Sequence, residues 1–464
     1  MSESAPRSAR QLRPMLIGLG VLALIGIALT FQNSILKNRN KAKLDLIRAA
    51  GLPVDLFELD ESYEIPSGAT NAADIYQDAF ASMIDMDRGN TNSPYRIKLK
   101  EPHLSYPQPT IDYLKAWTGS NSTAIALLHQ GADHSHARYP QDYTLGYSAL
   151  LPHLGPLKGA VQLLTYHACL QGESGSFNDA IVSLETSMSL AESLNNEPEI
   201  IGQLVRMAAH QIIVNTIEHI LNHHALSDAH LKRLFRLLEG RESPEPLVSG
   251  FSGEMCMGLS FFEDPQSVGG LGAAGVFNAG SGIGSKMASG AILTALQTSG
   301  LWERDKNFFI DAYSGYRAAL HSHFPAALKK AERVNQTVQT SRRGIRNLVS
   351  RVILPAISRV IEKEAHRIAA LRTTQTGIAI ERYRLAHDGT PPEKLTELVP
   401  HFLPSLLEDP FDGKPLRYRQ FEGGYVTWSI GKDQEDNQGD LRPIKKTPKD
   451  VRFRMLCNTK EPTP

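Results

Sequence analysis

Four acidic residues crowd one short stretch near the end of the chain: Asp433, Glu435, Asp436 and Asp440, with Asn437 among them. Carboxylates at this density, helped by backbone carbonyls, are hard oxygen donors suited to calcium. The stretch is not an EF-hand. Counted from Asp433, the required glycine arrives one place late, at Gly439, and position twelve is Ile444 instead of Glu. A solvated acidic turn that binds nothing is the competing reading.

Other chemistry-bearing residues are more scattered. His219 and His223 have the i, i+4 spacing that places two imidazoles on one helix face. Glu218 precedes the first of them, so the His-Glu-x-x-His order of zinc hydrolases is absent, and exposed or core histidines are the simpler reading. The pairs His134/His136 and His321/His323 read the same way. Glu254 lies two residues from Cys256, an acid beside a thiol, and its plain reading is a cap or a buried hydrogen-bonded acid. Gly270-Leu-Gly272-Ala-Ala-Gly275 has the letters of a dinucleotide fingerprint, but no β-branched strand precedes it and no acid follows about twenty residues on. Gly280 to Lys286 is one residue short of a P-loop, with Ser before the Lys. Cys169, Cys256 and Cys457 are too few and too dispersed for a disulfide framework or a zinc site.

The acidic stretch follows a recognisable order of elements. A helix ending Glu381-Arg-Tyr-Arg-Leu-Ala-His-Asp-Gly389 is followed by Asp409-Pro-Phe-Asp-Gly413, then Gly424-Tyr-Val-Thr-Trp-Ser-Ile-Gly431, then the acidic turn. This order resembles the C-terminal half of type II secretion major pseudopilins. The resemblance implies a small antiparallel sheet behind a helix, a calcium loop at Asp433, Glu435, Asp436 and Asp440, and a location outside the cytoplasmic membrane. The match covers about one fifth of the 464 residues, and the Phe-Thr-Leu-x-Glu start of a pseudopilin helix is absent. The expectation is a pseudopilin-like module at the end of a larger protein, without pilus assembly. From the residues themselves, 416–420 and 425–430 alternate as strands around a turn at Glu422-Gly-Gly424. A hairpin this short needs the preceding helix on one face, so Tyr418 and Trp428 are expected in the core.

At the other end, residues 14–36 are uncharged and Met15 to Phe31 is nearly continuous apolar sequence. Spanning a bilayer takes roughly 17–25 such residues. An uncleaved anchor at 14–36, after a tail at 1–13, is preferred over a signal peptide, because no small-x-small cleavage site follows Leu29. Basic residues nearly balance across it, with Arg7, Arg10 and Arg13 before and Lys37, Arg39, Lys41 and Lys43 after. The expected side for the bulk, outside the cell membrane, therefore rests on the pseudopilin resemblance.

Between anchor and tail the chain reads as mainly α. Residues 37–247 form a helical domain of amphipathic segments. The clearest unit runs from Leu163 to Leu194 around a turn at Gly172-Glu-Ser-Gly-Ser176, and its Gly-Ser-Phe-Asn-Asp-Ala-Ile run is similar to a tetratricopeptide repeat. No second copy is evident, so an ordinary hairpin in an irregular bundle is the simpler reading. Pro198 opens the next helix and Ser227 caps another. Residues 248–300, rich in glycine, read as a loop or linker, 301–360 as a helical segment with a basic side, and 361–464 as the pseudopilin-like helix and sheet.

Forty-nine basic residues balance forty-nine acidic ones, which argues against a nucleic-acid partner. The whole chain also resembles uncharacterised single-pass bacterial membrane proteins carrying an Asn-Ala-Ala segment, here Asn71-Ala-Ala73, with this kind of tail. The functional expectation is a membrane-anchored, extracytoplasmic, non-enzymatic scaffold. It meets the bilayer through 14–36 and an unidentified protein partner through its helical body. The alternative is a membrane-tethered hydrolase with a dispersed site using Glu254 and one of the histidines.

Overall fold

The computed structural model describes residues 7–94, 102–263, 294–341, 347, 350, 354, 357–439 and 450–457. Its first element is one continuous helix, α1 (Arg7–Ala49). The N-terminal part is long and apolar enough to cross a membrane. Ile17, Leu24, Ile27 and Phe31 stand between 64% and 68% exposed there, uncovered by the other described residues.

Past Phe31 the same helix becomes part of the folded body. Asn33 Nδ2 donates to Gln297 O at 3.1 Å. Asn40 is 2% exposed. Its Nδ2 donates to the Glu303 carbonyl at 2.9 Å and carboxylate at 3.0 Å, while its Oδ1 accepts from Asn307 Nδ2 at 2.6 Å. Lys43 pairs with Asp311. The anchor expected at 14–36 is thus the outer part of a longer helix, and from Asn33 onward that stretch already touches the body.

Side-chain caps start several of the body helices. Asp55 accepts the Phe57 and Glu58 amides at the head of α2 (Leu56–Ser62). Asn71 accepts the Ala73 amide for α3 (Ala72–Ser82) and donates to Arg138 O at 2.9 Å, which gives the Asn-Ala-Ala segment a structural role. Then follow α4 (Gln108–Ser120), α5 (Ser122–Ala132), a 3₁₀ turn (Tyr143–Ser148), α6 (Leu154–Glu173), α7 (Phe177–Glu192), α8 (Ile200–His223) and α9 (Asp228–Leu238). The expected hairpin is α6 and α7, reversed through Gly175 at φ +76°. Ser227 caps α9 as its sequence implied, accepting from the His230 amide.

The glycine-rich segment expected at 248–300 needs correction at its start. Residues up to 263 belong to a buried helix, α10 (Glu245–Glu263). Its glycines serve close packing: a Cβ on Gly253 would lie 1.6 Å from Pro198 O, and one on Gly258 would lie 2.1 Å from the Phe309 ring. Residues 264–293 lie outside the described residues. α10 packs with α11 (Leu301–Leu320) in a core that includes Phe251, Phe262, Trp302 and Phe309. On α12 (Ala326–Thr340), Lys329, Lys330 and Arg333 form an exposed basic face. Arg342, Arg343, Arg346 and Arg351, read as the rest of that basic side, lie outside the described residues.

The last helix, α13 (Ile357–Ala386), carries a three-stranded antiparallel sheet in the order β1 (Arg417–Phe421), β2 (Gly424–Ser429), β3 (Val451–Leu456). The β1–β2 turn uses Gly423 at φ +83°. Trp428 is 5% exposed and Tyr418 packs, partly buried, against the core. Gly377 on α13 lets the sheet close on the helix, since a Cβ there would sit 2.3 Å from the Phe453 ring. Ahead of β1, the buried Asp409 ties the Asp-Pro-Phe-Asp-Gly turn to the end of β2. It accepts from the Phe411 amide at 2.9 Å, Ser429 Oγ at 2.8 Å and the Ile430 amide at 2.8 Å.

Two features were not foreseen. β3 completes the sheet, and its outer edge is closed by α8. Arg454 N donates to Glu218 Oε1 at 3.1 Å, Leu456 N to Asn222 Oδ1 at 2.9 Å, and Asn222 Nδ2 to Arg454 O at 2.9 Å. The tail shares its core with the body: Tyr425, Phe453 and Met455 lie in one apolar cluster with Leu164, Leu184 and Ile217. The segments expected as a helical domain at 37–247 and a tail at 361–464 thus meet in one apolar cluster.

Candidate functional site

The acidic loop follows β2. Asp436 Oδ1 accepts Trp428 Nε1–H at 2.9 Å and the Gln438 amide at 2.8 Å, while Asp433 Oδ1 accepts the Glu435 amide at 3.3 Å. A fourth acid, Asp450, comes from the start of β3. It is 4% exposed and accepts the Gly439 amide at 2.9 Å. Burial raises its carboxyl above the ordinary range, and the charges of Asp436 and Asp433 add to that. Among the described residues no three His, Cys, Asp or Glu side chains converge closely enough to hold a metal ion. Asp440 lies outside those residues. Asp433, Glu435 and Asp436 therefore share a loop without forming a ligand set by themselves.

His219 and His223 do lie together, with ring centroids 4.4 Å apart. His219 Nδ1 meets the Pro102 carbonyl at 2.8 Å, so it carries the proton and donates. Burial, reinforced by His223, lowers His219 to about 4, as expected of a core imidazole. His321 and His323 are exposed. Glu254 is partly buried and accepts from Tyr147 Oη at 3.3 Å, with no histidine among its hydrogen-bond partners in the described residues. Burial raises its carboxyl to about 7. Its neighbour Glu199 is raised further, to about 8, by burial and then by the charges of Glu254 and Glu197. Glu197 in turn meets His153 Nε2 at 3.0 Å, under the stacked ring of Tyr139.

The most developed polar centre was not legible from spacing. Glu192 at the end of α7 receives Arg206 Nη1 at 3.3 Å and His210 Nε2 at 2.7 Å, both from α8. It also receives Asn195 Nδ2 at 2.8 Å and Arg241 Nη1 at 3.4 Å. From α13, Arg367 Nη1 donates to His210 Nδ1 at 3.1 Å and to Arg241 O at 2.7 Å, while its other nitrogens grip Glu364 at 2.8 and 2.5 Å. A guanidinium can only donate, so His210 Nδ1 accepts and Nε2 carries the proton. His210 is the neutral tautomer, and burial above all holds its pKa near 4. Burial opposes charge on Glu192, but its His210, Arg206 and Asn195 contacts outweigh that and hold the carboxyl well below the usual range.

Over this centre lies a cleft of about 480 Å³, floored by Arg206, Glu192 and Asn195 and walled by Leu52, Pro198 and Val248. Arg206 is 1% exposed, and its Nη2 has no hydrogen-bond partner among the described residues. The same holds for the buried Oδ1 of Asn195. Guanidinium and amide groups hold oxygen- and nitrogen-bearing ligands. His210 has both nitrogens engaged and is neutral near pH 7. No protein-family model, no curated protein and no solved structure matches the chain.

Proposed function

We propose that this chain is a single-pass membrane protein whose helical body works outside the cell membrane as a non-enzymatic binding or scaffold protein. One observation carries the reading. The apolar end of α1 stands uncovered while the same helix, from Asn33 to Lys43, is bonded into the body through Gln297, Glu303, Asn307 and Asp311. No flexible tether separates span from body, so the fold sits against the headgroups in a set orientation. The extracytoplasmic side is proposed on the pseudopilin resemblance of the tail. Calcium enters as a stabiliser of the loop at Asp433, Glu435, Asp436 and Asp440.

Alkaline carbonate extraction of membranes from cells expressing the full chain tests the anchor. The wild type is expected to stay with the bilayer. Leu24→Asp plus Ile25→Asp, at exposed positions, is expected to release it, because each central Asp costs about 3 kcal/mol of insertion. Wild-type protein washed off by carbonate would end the reading.

A further inference from the structure

We propose that the cleft above Arg206 is a carboxylate-recognition site that takes the C-terminal end of a peptide. The inference deepens the binding-protein reading above and rests on it.

Charge is the first reason. Around the floor, Arg206, Arg241 and Arg367 face two carboxylates, Glu192 and Glu364, with His210 neutral between them. One positive charge is left over. Glu364 is engaged by Arg367, and the Glu192 oxygens are covered by Arg206, His210, Arg241 and Asn195, so neither carboxylate presents an open face to an incoming anion. Glu245, the other acid lining the cleft, is exposed at its rim.

Geometry is the second reason. Arg206 Nη1 is bound to Glu192 Oε1 and Asn195 Nδ2 to Glu192 Oε2. The two side chains therefore hold the two oxygens of one carboxylate. This fixes the Asn195 amide with nitrogen toward Glu192, leaving Oδ1 as an acceptor. The floor thus holds a charged donor, Arg206 Nη2, and a neutral acceptor, Asn195 Oδ1, both buried and both without a partner among the described residues. A phosphate would set its oxygens against Asn195 Oδ1. A peptide C-terminus matches both, its carboxylate on Arg206 and the N–H of its last residue on Asn195. Burying either group unmatched is costly, and charge-assisted bonds to buried guanidinium are the stronger kind. Leu52, Pro53, Leu59 and Val248 supply apolar walls for the terminal side chain, and the volume lies within the roughly 300–1,000 Å³ typical of small-ligand sites.

Titration calorimetry on the detergent-solubilised full chain tests this with three probes: N-acetyl-Leu-Leu as the free acid, the same dipeptide as its C-terminal amide, and propionate. The free acid is expected to bind with Kd below about 1 mM and at least about tenfold more tightly than the other two. Arg206→Gln is expected to abolish the difference between acid and amide. Because that change touches a buried network, Ser249→Trp provides a second arm: it blocks the cleft from a partly exposed position outside the network and is expected to remove binding of the acid. Equal binding of acid and amide overturns carboxylate recognition and leaves a peptide-binding protein. Propionate matching the dipeptide overturns the role of Asn195 and the peptide. Unchanged binding in Ser249→Trp overturns the location, and no binding by any probe removes the peptide-partner reading along with the proposal.

Discussion

Asn222 on α8 and Arg454 on β3 are joined at the edge of the sheet, the Asn222 amide donating to the Arg454 carbonyl at 2.9 Å. Asn222 Oδ1 simultaneously accepts the Leu456 amide. A helix side chain thereby does for β3 what a fourth strand would do, closing an edge that is otherwise open to pairing with another chain. Asn222 is 1% exposed, so its removal strands a donor and an acceptor inside the protein. Asn222→Ala is expected to cost roughly 2–4 kcal/mol in urea unfolding. Asn215→Ala, two turns earlier on the same helix and exposed, is expected to stay within about 0.5 kcal/mol. Equal effects from the two changes would show that the α8–β3 bond is not a stabilising joint.

The neutral His210 makes stability depend on acid. Its folded pKa of about 4 lies below the ordinary 6.5, so the unfolded chain binds the extra proton first. Its contribution is complete above about pH 6.5 and is lost as pH falls toward 4, and Glu192, held well below the usual carboxylate range, works in the same direction lower still. The melting temperature should fall over that window. His210→Gln should flatten it, at a cost of roughly 1–3 kcal/mol near neutrality for the disturbed network. A variant with the wild-type slope would remove His210 as the cause.

Glu199 acts at the other end of the pH scale. Its folded pKa of about 8 exceeds the ordinary 4.5, so the folded state holds its proton longer and stability declines as pH rises from 4.5 through 8. Glu254, at about 7, adds a decline of the same sign. Glu199→Gln keeps the neutral shape and cannot ionise. It is expected to melt at a higher temperature than the wild type at about pH 9 and at nearly the same temperature at about pH 5. A lower melting temperature at alkaline pH would contradict an ionisation penalty at this position.

The acidic loop yields a metal-dependent expectation. Asp433 and Asp436 raise the buried Asp450, so a divalent cation that offsets their charge should stabilise the tail. About 5 mM calcium, above the 10⁻⁴–10⁻³ M dissociation constants of extracellular calcium modules, should raise the melting temperature. Asp433→Ala plus Asp436→Ala should remove that rise. An unchanged melt in calcium would leave the loop as a hydrogen-bonded acidic turn.

What could be read ahead of the structure was local. The α6–α7 turn is marked by Gly175, α9 by its Ser227 cap, and the β1–β2 hairpin by alternation on either side of two glycines. α10 was misread because glycine signals both flexible loops and tight packing, and only the approach of Pro198 and Phe309 distinguishes them. β3 carried a usable signal, apolar Val451, Phe453 and Met455 alternating with Arg452 and Arg454. The centre at Arg206 carried none, because Glu192, Arg241 and Arg367 are distant in sequence and meet through tertiary packing alone.

The proposed union of span and body on the outer side of the membrane is most directly tested by labelling intact spheroplasts with a membrane-impermeant maleimide. The proteins carry Cys457→Ser and a single introduced cysteine, either Arg333→Cys on the exposed face of α12 or Ile25→Cys on the bare part of α1. Arg333→Cys is expected to label rapidly before lysis, and Ile25→Cys only once the membrane is dissolved. Labelling of Arg333→Cys only after lysis would place the body in the cytoplasm, and labelling of Ile25→Cys in intact membranes would show that α1 does not cross the bilayer.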